Sequence, residues 1–184
     1  MATYTLVPTS VSSSTGWDTA AFFIAKAIDT DNSTYALQNN TTCNATFSFG
    51  SLPIEVLTSR SVSFTISAHA KAGRTGASTA ALKLVDSTGA DVAAAESESW
   101  TGTASTQTTT SVTTKADGSA LTTTYIGGCT LNIVPNSAGI YLYEIYVTIT
   151  YTAGFEHKVS GVQASSIGKV EGIAYANLEK VIGV

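Results

Sequence analysis

Two stretches of the chain alternate strictly between apolar and polar side chains, residues 61–70 and residues 141–151. A period of two is typical of a β-strand that buries one face and exposes the other. The residues expected on the buried faces are Val62, Phe64, Ile66, Ala68 and Ala70 in the first stretch and Tyr141, Tyr143, Ile145, Val147, Ile149 and Tyr151 in the second. A slip of one residue would bury the polar set instead, so the pattern specifies the register of both strands.

Shorter runs of the same kind predict further strands, and turn-forming residues separate them. The expected weaker strands cover residues 4–7, 45–49, 80–85, 90–95, 107–114 and 130–134. Turn-forming residues occupy 86–89, 116–119 and 135–139, and the first two of these turns are expected to close hairpins. Residues 20–27 fit a short helix or a strand. Strands spaced roughly 8–12 residues apart predict an all-β chain, an antiparallel β-sandwich of jelly-roll type.

The composition favours the same fold class. Only 12% of the residues are charged, about half the usual share of a soluble protein. Threonines take the place of charges, most densely in residues 106–114 and 122–124. Since β-branched threonine suits a pleated, half-exposed surface and is a poor helix former, a hydroxyl-rich surface indicates sheet.

The charge and hydropathy of the chain exclude several functions. The net charge is −4, and the basic residues are spread from Lys26 to Lys180 without a run, whereas nucleic-acid binding needs a clustered basic face. The apolar stretch 20–27 is far shorter than the roughly 20 residues that span a bilayer. No basic and apolar signal segment opens the chain, so synthesis in a cytoplasm is expected.

Residue types that carry catalysis are sparse. The two histidines, His69 and His157, have no second histidine or cysteine at metal-ligand spacing. No nucleophile elbow and no phosphate-binding loop is present. The sequence therefore predicts a protein without enzymatic activity, cofactor or bound metal, although paired carboxylates that meet only in the fold stay open.

Two pairs of residues each fit two interpretations. Asp29 and Asp31 alternate as Ca²⁺ ligands do, yet Thr34 and Asn40 stand where an EF-hand needs glycine and glutamate, and a polar turn explains the segment as well. Cys43 and Cys129 fit two buried thiols or a disulfide, since the sequence does not show whether they lie close together. The polar turn and the buried thiols are the preferred interpretations.

A short repeat follows residue 153. The segment 159–162 recurs at 170–173 and again at 181–184, with a step of eleven residues each time. Small repeats cannot bury a face alone and need a surface to lie against. We therefore expect a sandwich body over residues 1–153 and an attachment arm over residues 154–184. The expected contact residues of the arm are Val159, Val162, Ile167, Val170, Ile173, Leu178 and Val181.

The repeat also carries a resemblance to a known group of proteins. Residues 165–181 resemble the I-x-K-V-x-G-[IV]-x-x-A-N-[IL]-x-K-V tails of tailed-phage virion proteins, with matches at Ile167, Lys169, Val170, Gly172, Ile173, Ala176, Asn177, Leu178, Lys180 and Val181. Trp17, residues 27–35, residues 45–49 and the long strand after Arg60 follow an order that resembles phage jelly rolls.

That resemblance implies a non-enzymatic structural protein of a virion, made in the host cytoplasm. A capsid decoration protein, a head fibre and a tail-associated protein all fit it. The partners that it implies are a major capsid or tail protein and further copies of the chain, with a trimer common among such fibres and decorations.

A carbohydrate- or receptor-binding β-sandwich module is the alternative from another class. Trp17 and Trp100 are its candidate glycan contacts, because an exposed indole ring can stack on a sugar, and both also fit a place in the core. The outward tyrosines near the C-terminal strand fit a subunit contact.

Overall fold

The computed structural model describes residues 1–15, 17, 35–37, 44–53, 62–73, 75–137, 139–152, 169–170 and 173–174. They form twelve strands and one short helix, α1 (Thr123–Gly127). The strands are β1 (Ala2–Leu6), β2 (Pro8–Thr15), β3 (Ala36–Leu37), β4 (Asn44–Phe49), β5 (Val62–Ala72), β6 (Ser78–Val85), β7 (Glu96–Trp100), β8 (Ser105–Thr108), β9 (Thr130–Pro135), β10 (Ile140–Tyr151), β11 (Lys169–Val170) and β12 (Ile173–Ala174).

The first ten strands form two five-stranded antiparallel sheets. The first sheet has the order β1-β10-β5-β8, and β3 pairs with the opening residues of β10. The second sheet has the order β2-β4-β9-β6-β7, and β11 pairs with β12 separately. Because the chain passes back and forth between the two sheets, neighbours in each sheet are mostly distant in sequence. The chain is an all-β, jelly-roll-like sandwich, which confirms the predicted fold class.

The core lies between the sheets and follows the predicted alternation. In β5, all five residues from Val62 to Ala70 that were expected on one face are buried. Strands β6 and β9 of the second sheet contribute Leu82, Leu84, Leu131 and Ile133, which are also fully buried. Full burial of such a side chain typically stabilises a fold by about 1.5–3 kcal/mol, so the alternation of these strands holds the two sheets together.

The strict alternation predicted for residues 141–151 is wrong at its start, because β10 contains a β-bulge. Its pairing with β5 shifts register between Leu142 and Glu144. Beyond the bulge, the core face carries the predicted residues Ile145, Val147, Ile149 and Tyr151. Before the bulge, Ile140 and Leu142 face the core instead of the predicted tyrosines. A bulge adds one residue to one strand and so reverses which residues face inward. Tyr141 and Tyr143 are thereby placed on the outer face of the first sheet.

Some of the weaker strand predictions are confirmed, and one of them is wrong. Strands were correctly expected at 45–49, 80–85 and 130–134, but residues 90–95 are not a strand, and only Asp91 forms a single bridge to Val85. The Asp86 carboxylate fixes the preceding turn by accepting hydrogen bonds from the Thr88 and Ala90 backbone amides. The alanine-rich run that follows has low β-propensity. Strand β6 therefore forms its ladder with β7, further along the chain, and only a single bridge with residues 90–95.

Candidate functional site

Three tyrosines, a histidine and a lysine gather on the outer face of the first sheet. The Tyr35 ring lies 4.8 Å from the Tyr141 ring and 5.7 Å from the Tyr143 ring, measured between centroids, with interplanar angles of 79° and 66°. The His69 ring lies 5.5 Å from the Tyr143 ring. These edge-to-face contacts are the geometry that aromatic rings prefer. We call Tyr35, His69, Lys71, Tyr141 and Tyr143 the aromatic surface.

Strand pairing explains how residues so distant in sequence meet. The short strand β3 pairs Leu37 with Tyr141, which brings the preceding Tyr35 alongside β10. On the other side, β5 pairs Lys71 with Tyr141. The bulge of β10 adds Tyr143 to the same face, since the ring of Tyr143 contacts His69 and Lys71, both of which point away from the core. Three strands and one bulge thus build the aromatic surface.

The Lys71 ammonium lies over two of the tyrosine rings. Its nitrogen is 5.3 Å from the centroid of the Tyr141 ring and 5.8 Å from that of the Tyr143 ring, within the range of a cation–π contact. A hydrogen bond with Tyr143, together with the charge that this phenol can carry, raises the pKa of Lys71 above its ordinary value. Within the residues that the structure describes, the one ion pair joins Lys83 to Asp91. Lys71 has no carboxylate partner in that part of the chain.

A shallow depression of about 650 Å³ adjoins the aromatic surface. Its wall consists of Lys71, Ala72, Gly73, Thr75, Gly102 and Tyr141. A Cβ atom at Gly73 would come within 2.0 Å of Cε2 of Tyr141, a distance that no real side chain tolerates. The Tyr141 ring therefore rests directly against the backbone at Gly73, and the absence of a side chain there fixes where the ring lies.

Hydroxyl groups border the aromatic surface along strand β8. His69 Nδ1 and Thr106 Oγ1 are 3.0 Å apart and share a hydrogen bond, and Ser67 Oγ and Thr108 Oγ1 do the same at 2.9 Å. The phenols, the imidazole and these hydroxyls can each donate or accept hydrogen bonds. The site therefore combines apolar ring faces with a rim of neutral polar groups.

Exposure decides which of these groups a ligand can reach. Tyr35 is 41% exposed, one of two large apolar side chains so exposed in the described part of the chain, the other being Met1. Tyr141, His69 and Lys71 are half-buried, and Tyr143 is buried beneath its neighbours at 7%. A ligand would therefore contact Tyr35, Tyr141 and Lys71 directly, while Tyr143 supports them from below.

The two tryptophans offer no such surface. Trp100 is completely buried, and its indole N–H donates a hydrogen bond of 3.1 Å to the backbone oxygen of Ser105. Trp17 is 7% exposed and belongs to the same core. Because both indoles are buried, neither has a free face on which a sugar could stack, so the prediction that they contact a glycan is wrong. The alternative that the sequence allowed, a place in the core, is where the structure puts them.

The arm predicted from the repeats is described at four residues only. Val170 lies in β11 and Ile173 in β12, and the two residues pair across this small antiparallel ladder. The other expected contact residues, Val159, Val162, Ile167, Leu178 and Val181, lie outside the described residues. The boundary at residue 153 lies outside them too, and it stays a prediction.

Further candidates fall outside the described residues or into the core. Asp29, Asp31, Cys43 and His157 are outside. Cys129 is a buried free thiol, and burial raises the pKa of this thiol to about 11. Over the described ranges no group of three or more metal-ligating side chains comes together. No helix within those same ranges is long and apolar enough to cross a membrane.

Comparisons with known proteins bear on the fold. No protein-family profile matches the sequence, and no curated protein matches it either. Among solved structures, a truncated AlyQ with a family-32 carbohydrate-binding module (CBM32) and alginate lyase domains is similar, with a TM-score of 0.50 and 14% identity. The match covers 86% of this chain and 36% of that one, so this chain spans about a third of the truncated AlyQ.

Two isolated carbohydrate-binding modules are also similar. The C-terminal family-6 module (CBM6) of the laminarinase LamC from Zobellia galactanivorans aligns with a TM-score of 0.46 and 13% identity, over 81% of this chain and 99% of that one. The CBM32 of AlyQ, solved in complex with 4,5-unsaturated mannuronic acid, aligns with a TM-score of 0.44 and 15% identity, over 78% and 98%. At 14% identity, the similarity to the truncated AlyQ shows only that the chain has a β-sandwich fold.

Sequence reasoning missed the aromatic surface. It predicted Tyr141 and Tyr143 on the buried face, because the alternation of apolar and polar residues does not reveal a β-bulge. Tyr35 stands next to a strand of only two residues, β3, which is too short to produce a pattern. The one available signal was the density of tyrosines in β10, which fitted a contact surface as well as a core strand.

Proposed function

We propose that this chain is a non-enzymatic carbohydrate-binding β-sandwich module and that a saccharide binds across the aromatic surface. The single observation that carries the proposal is the convergence of Tyr35, Tyr141 and Tyr143 on one outer face, beside an open depression. The fold is compatible with this role, because the similar solved structures include carbohydrate-binding modules.

The chemistry of a sugar ring matches this surface. A pyranose has C–H groups on its faces and hydroxyls around its edge, so it needs both apolar contact and hydrogen bonds. Tyrosine has an apolar ring with a polar end, and the His69–Thr106 pair adds groups that can donate or accept. Packing against Gly73 and Tyr35 holds the Tyr141 ring in place before any ligand arrives. Such preorganisation reduces the entropy lost on binding.

Two acidic groups described elsewhere, Asp86 and Asp117, are engaged in turns, which favours a structural role for them over a catalytic one. Hydrogen bonds from Thr88, Ala90 and Tyr125 lower the pKa of Asp86 to about 2. Asp117 is held by the hydroxyl and the backbone amide of Ser119 in a second turn. Catalytic carboxylates work instead as a pair flanking the bond to be cleaved.

Replacing Tyr141 by alanine is expected to weaken saccharide binding by about tenfold, equivalent to about 1.4 kcal/mol. The variant removes the ring that forms both part of the aromatic surface and a wall of the depression. A glycan array would identify the ligand, and isothermal titration calorimetry would compare the affinities of the two proteins.

Tyr146→Ala is the matched control for this prediction. Tyr146 lies further along the same strand, where it pairs with Ser67, and it has no ring contact with the aromatic surface. Its loss should change the affinity for a short oligosaccharide by less than about twofold. Equal losses in both variants, or an array on which nothing binds, would argue against this site.

We also propose a second, compatible role: the arm over residues 154–184 attaches the sandwich body to a virus particle. The sequence resemblance of residues 165–181 to tailed-phage tails supports this. On this proposal the partners are a major capsid or tail protein and further copies of the chain. The copies would form a closed symmetric oligomer, for example a trimer. The protein would then reside in the virion.

Deleting residues 154–184 is expected to leave a folded body that still binds its saccharide but no longer joins particles. Within the described residues, the last strand of the two sheets ends at Tyr151, so we expect the core to form without the arm. Circular dichroism and calorimetry would measure folding and affinity, and immunogold electron microscopy of purified particles would measure incorporation. An unfolded truncated body, or normal incorporation without the arm, would refute the attachment role.

A further inference from the structure

Lys71 is the charged group of the aromatic surface, and nothing in the described part of the chain neutralises it. Its ammonium lies at the junction of the tyrosines and the depression, since Lys71 contacts the rings of Tyr141 and Tyr143 and lines the depression. By strand register, Glu144 lies opposite His69 rather than opposite Lys71. The cation is thus available to a ligand in the depression.

An ammonium on such a surface favours one kind of ligand over others. It donates three hydrogen bonds and accepts none, so its best partner is an anionic oxygen, with which it forms a short, charge-assisted bond. Contact with the two rings restricts the otherwise flexible lysine chain, and a restricted donor loses less entropy on binding. The sugar hydroxyls of a neutral ligand could use the phenols and Thr106 and would gain little from the charge.

The charge around Lys71 limits how much negative charge the ligand can carry. The chain as a whole has a net charge of −4, which repels a polyanion at long range. Glu144 adds a carboxylate on β10 near the same face. The single positive charge of Lys71 therefore fits a saccharide that places one carboxylate at this surface better than a heavily sulfated chain.

We infer that the aromatic surface binds an acidic saccharide, with a uronic or sialic acid carboxylate on Lys71 and the sugar ring against Tyr141. This inference rests on the proposed carbohydrate-binding function and deepens it by naming the class of sugar. Uronic and sialic acids share the carboxylate that Lys71 recognises, so the experiment includes both sources.

The test compares each acid with its own methyl ester, which keeps the sugar and removes the charge. The probes are the trimers of mannuronate, guluronate and galacturonate, together with 3′- and 6′-sialyllactose. With wild-type protein, at least one acid should bind about tenfold more tightly than its ester at low ionic strength. Raising the salt concentration to about 0.5 M should reduce that preference, because exposed charges are screened.

Variants of Lys71 assign the preference to this residue. Lys71→Met should bring the affinity for the acid down to the affinity that the same variant has for the ester. Lys71→Arg keeps the positive charge and should keep most of the preference. Lys83→Met is the matched control, because it removes the same charge from the second sheet, where Lys83 pairs with Asp91. It should leave the preference intact.

The outcomes separate this inference from the proposed function. If acids and esters bind equally, and both are weakened by Tyr141→Ala, the surface binds carbohydrate but the inference about acidic sugars is overturned. A preference for acids that survives in Lys71→Met overturns it as well. If neither these probes nor neutral glycans bind, the carbohydrate-binding function itself fails. A preference that disappears with Lys71 and returns with arginine supports both.

Discussion

Replacing Trp100 by alanine is expected to lower the free energy of unfolding by about 3–5 kcal/mol, the usual cost of emptying a large aromatic site in a core. The indole is completely buried at the end of β7, where Trp100 pairs with Ser78 of β6. Its N–H also satisfies the backbone oxygen of Ser105 at the start of β8. The side chain therefore joins the two sheets where the chain crosses between them. Denaturant unfolding followed by circular dichroism would measure the loss.

Trp100→Phe separates the volume of the indole from its hydrogen bond. Phenylalanine refills most of the cavity and removes the N–H, so a smaller loss of about 1–2 kcal/mol is expected. Trp100→Ala protein that remains folded should keep its saccharide affinity, because the indole has no contact with solvent. A loss of affinity with little loss of stability would instead return Trp100 to the role of a sugar contact.

Replacing Gly73 by alanine is expected to weaken saccharide binding by about tenfold, equivalent to about 1.4 kcal/mol, the same loss as removing the Tyr141 ring itself. The new methyl group would occupy the space of the Tyr141 ring, 2.0 Å from its Cε2 atom. The ring must move, and with it the contacts that Tyr141 makes with Tyr35 and with the Lys71 ammonium. Calorimetric titration with the saccharide would measure the effect.

Gly102→Ala is the matched control for this variant. Gly102 lines the same depression, but a Cβ atom there meets nothing within 4 Å. The two variants therefore add the same methyl group to the same depression, and only one of them displaces a ring. Equal affinities in Gly73→Ala and wild-type protein would show that the position of Tyr141 is unimportant for binding.

The sequence predicted those parts of the fold in which local pattern and tertiary burial agree. Strand β5 alternates because one of its faces meets the second sheet, and every expected core residue in it is buried. Strand β7 was not predicted, because its first four residues alternate between glutamate and serine and show no apolar face. Trp100 is its one buried residue. Strand β2 is rich in serine and threonine and has no apolar period at all. Pairing with neighbours in the sheet, rather than local pattern, establishes these two strands.

The candidate site was less predictable than the fold, for a geometric reason. Its residues come from three regions of the chain that meet only through the pairing of β3, β10 and β5. The bulge after Leu142 moves Tyr143 from the expected inner face to the outer face. A single insertion in a strand reverses its faces without changing its composition. Sequence reasoning therefore chose the tryptophans, which the fold buries in the core, over the tyrosines of the outer face, of which Tyr35 is exposed and Tyr141 half-buried.

Binding across the aromatic surface is tested most directly by an NMR titration of the full-length protein with the saccharide that binds most tightly, observing the aromatic side chains. The ring resonances of Tyr35, Tyr141 and Tyr143 should shift with saturation, while those of the buried Trp100 stay unchanged. Saturable binding that shifts other side chains and leaves these three rings unmoved would contradict it, and so would the absence of any saccharide that binds.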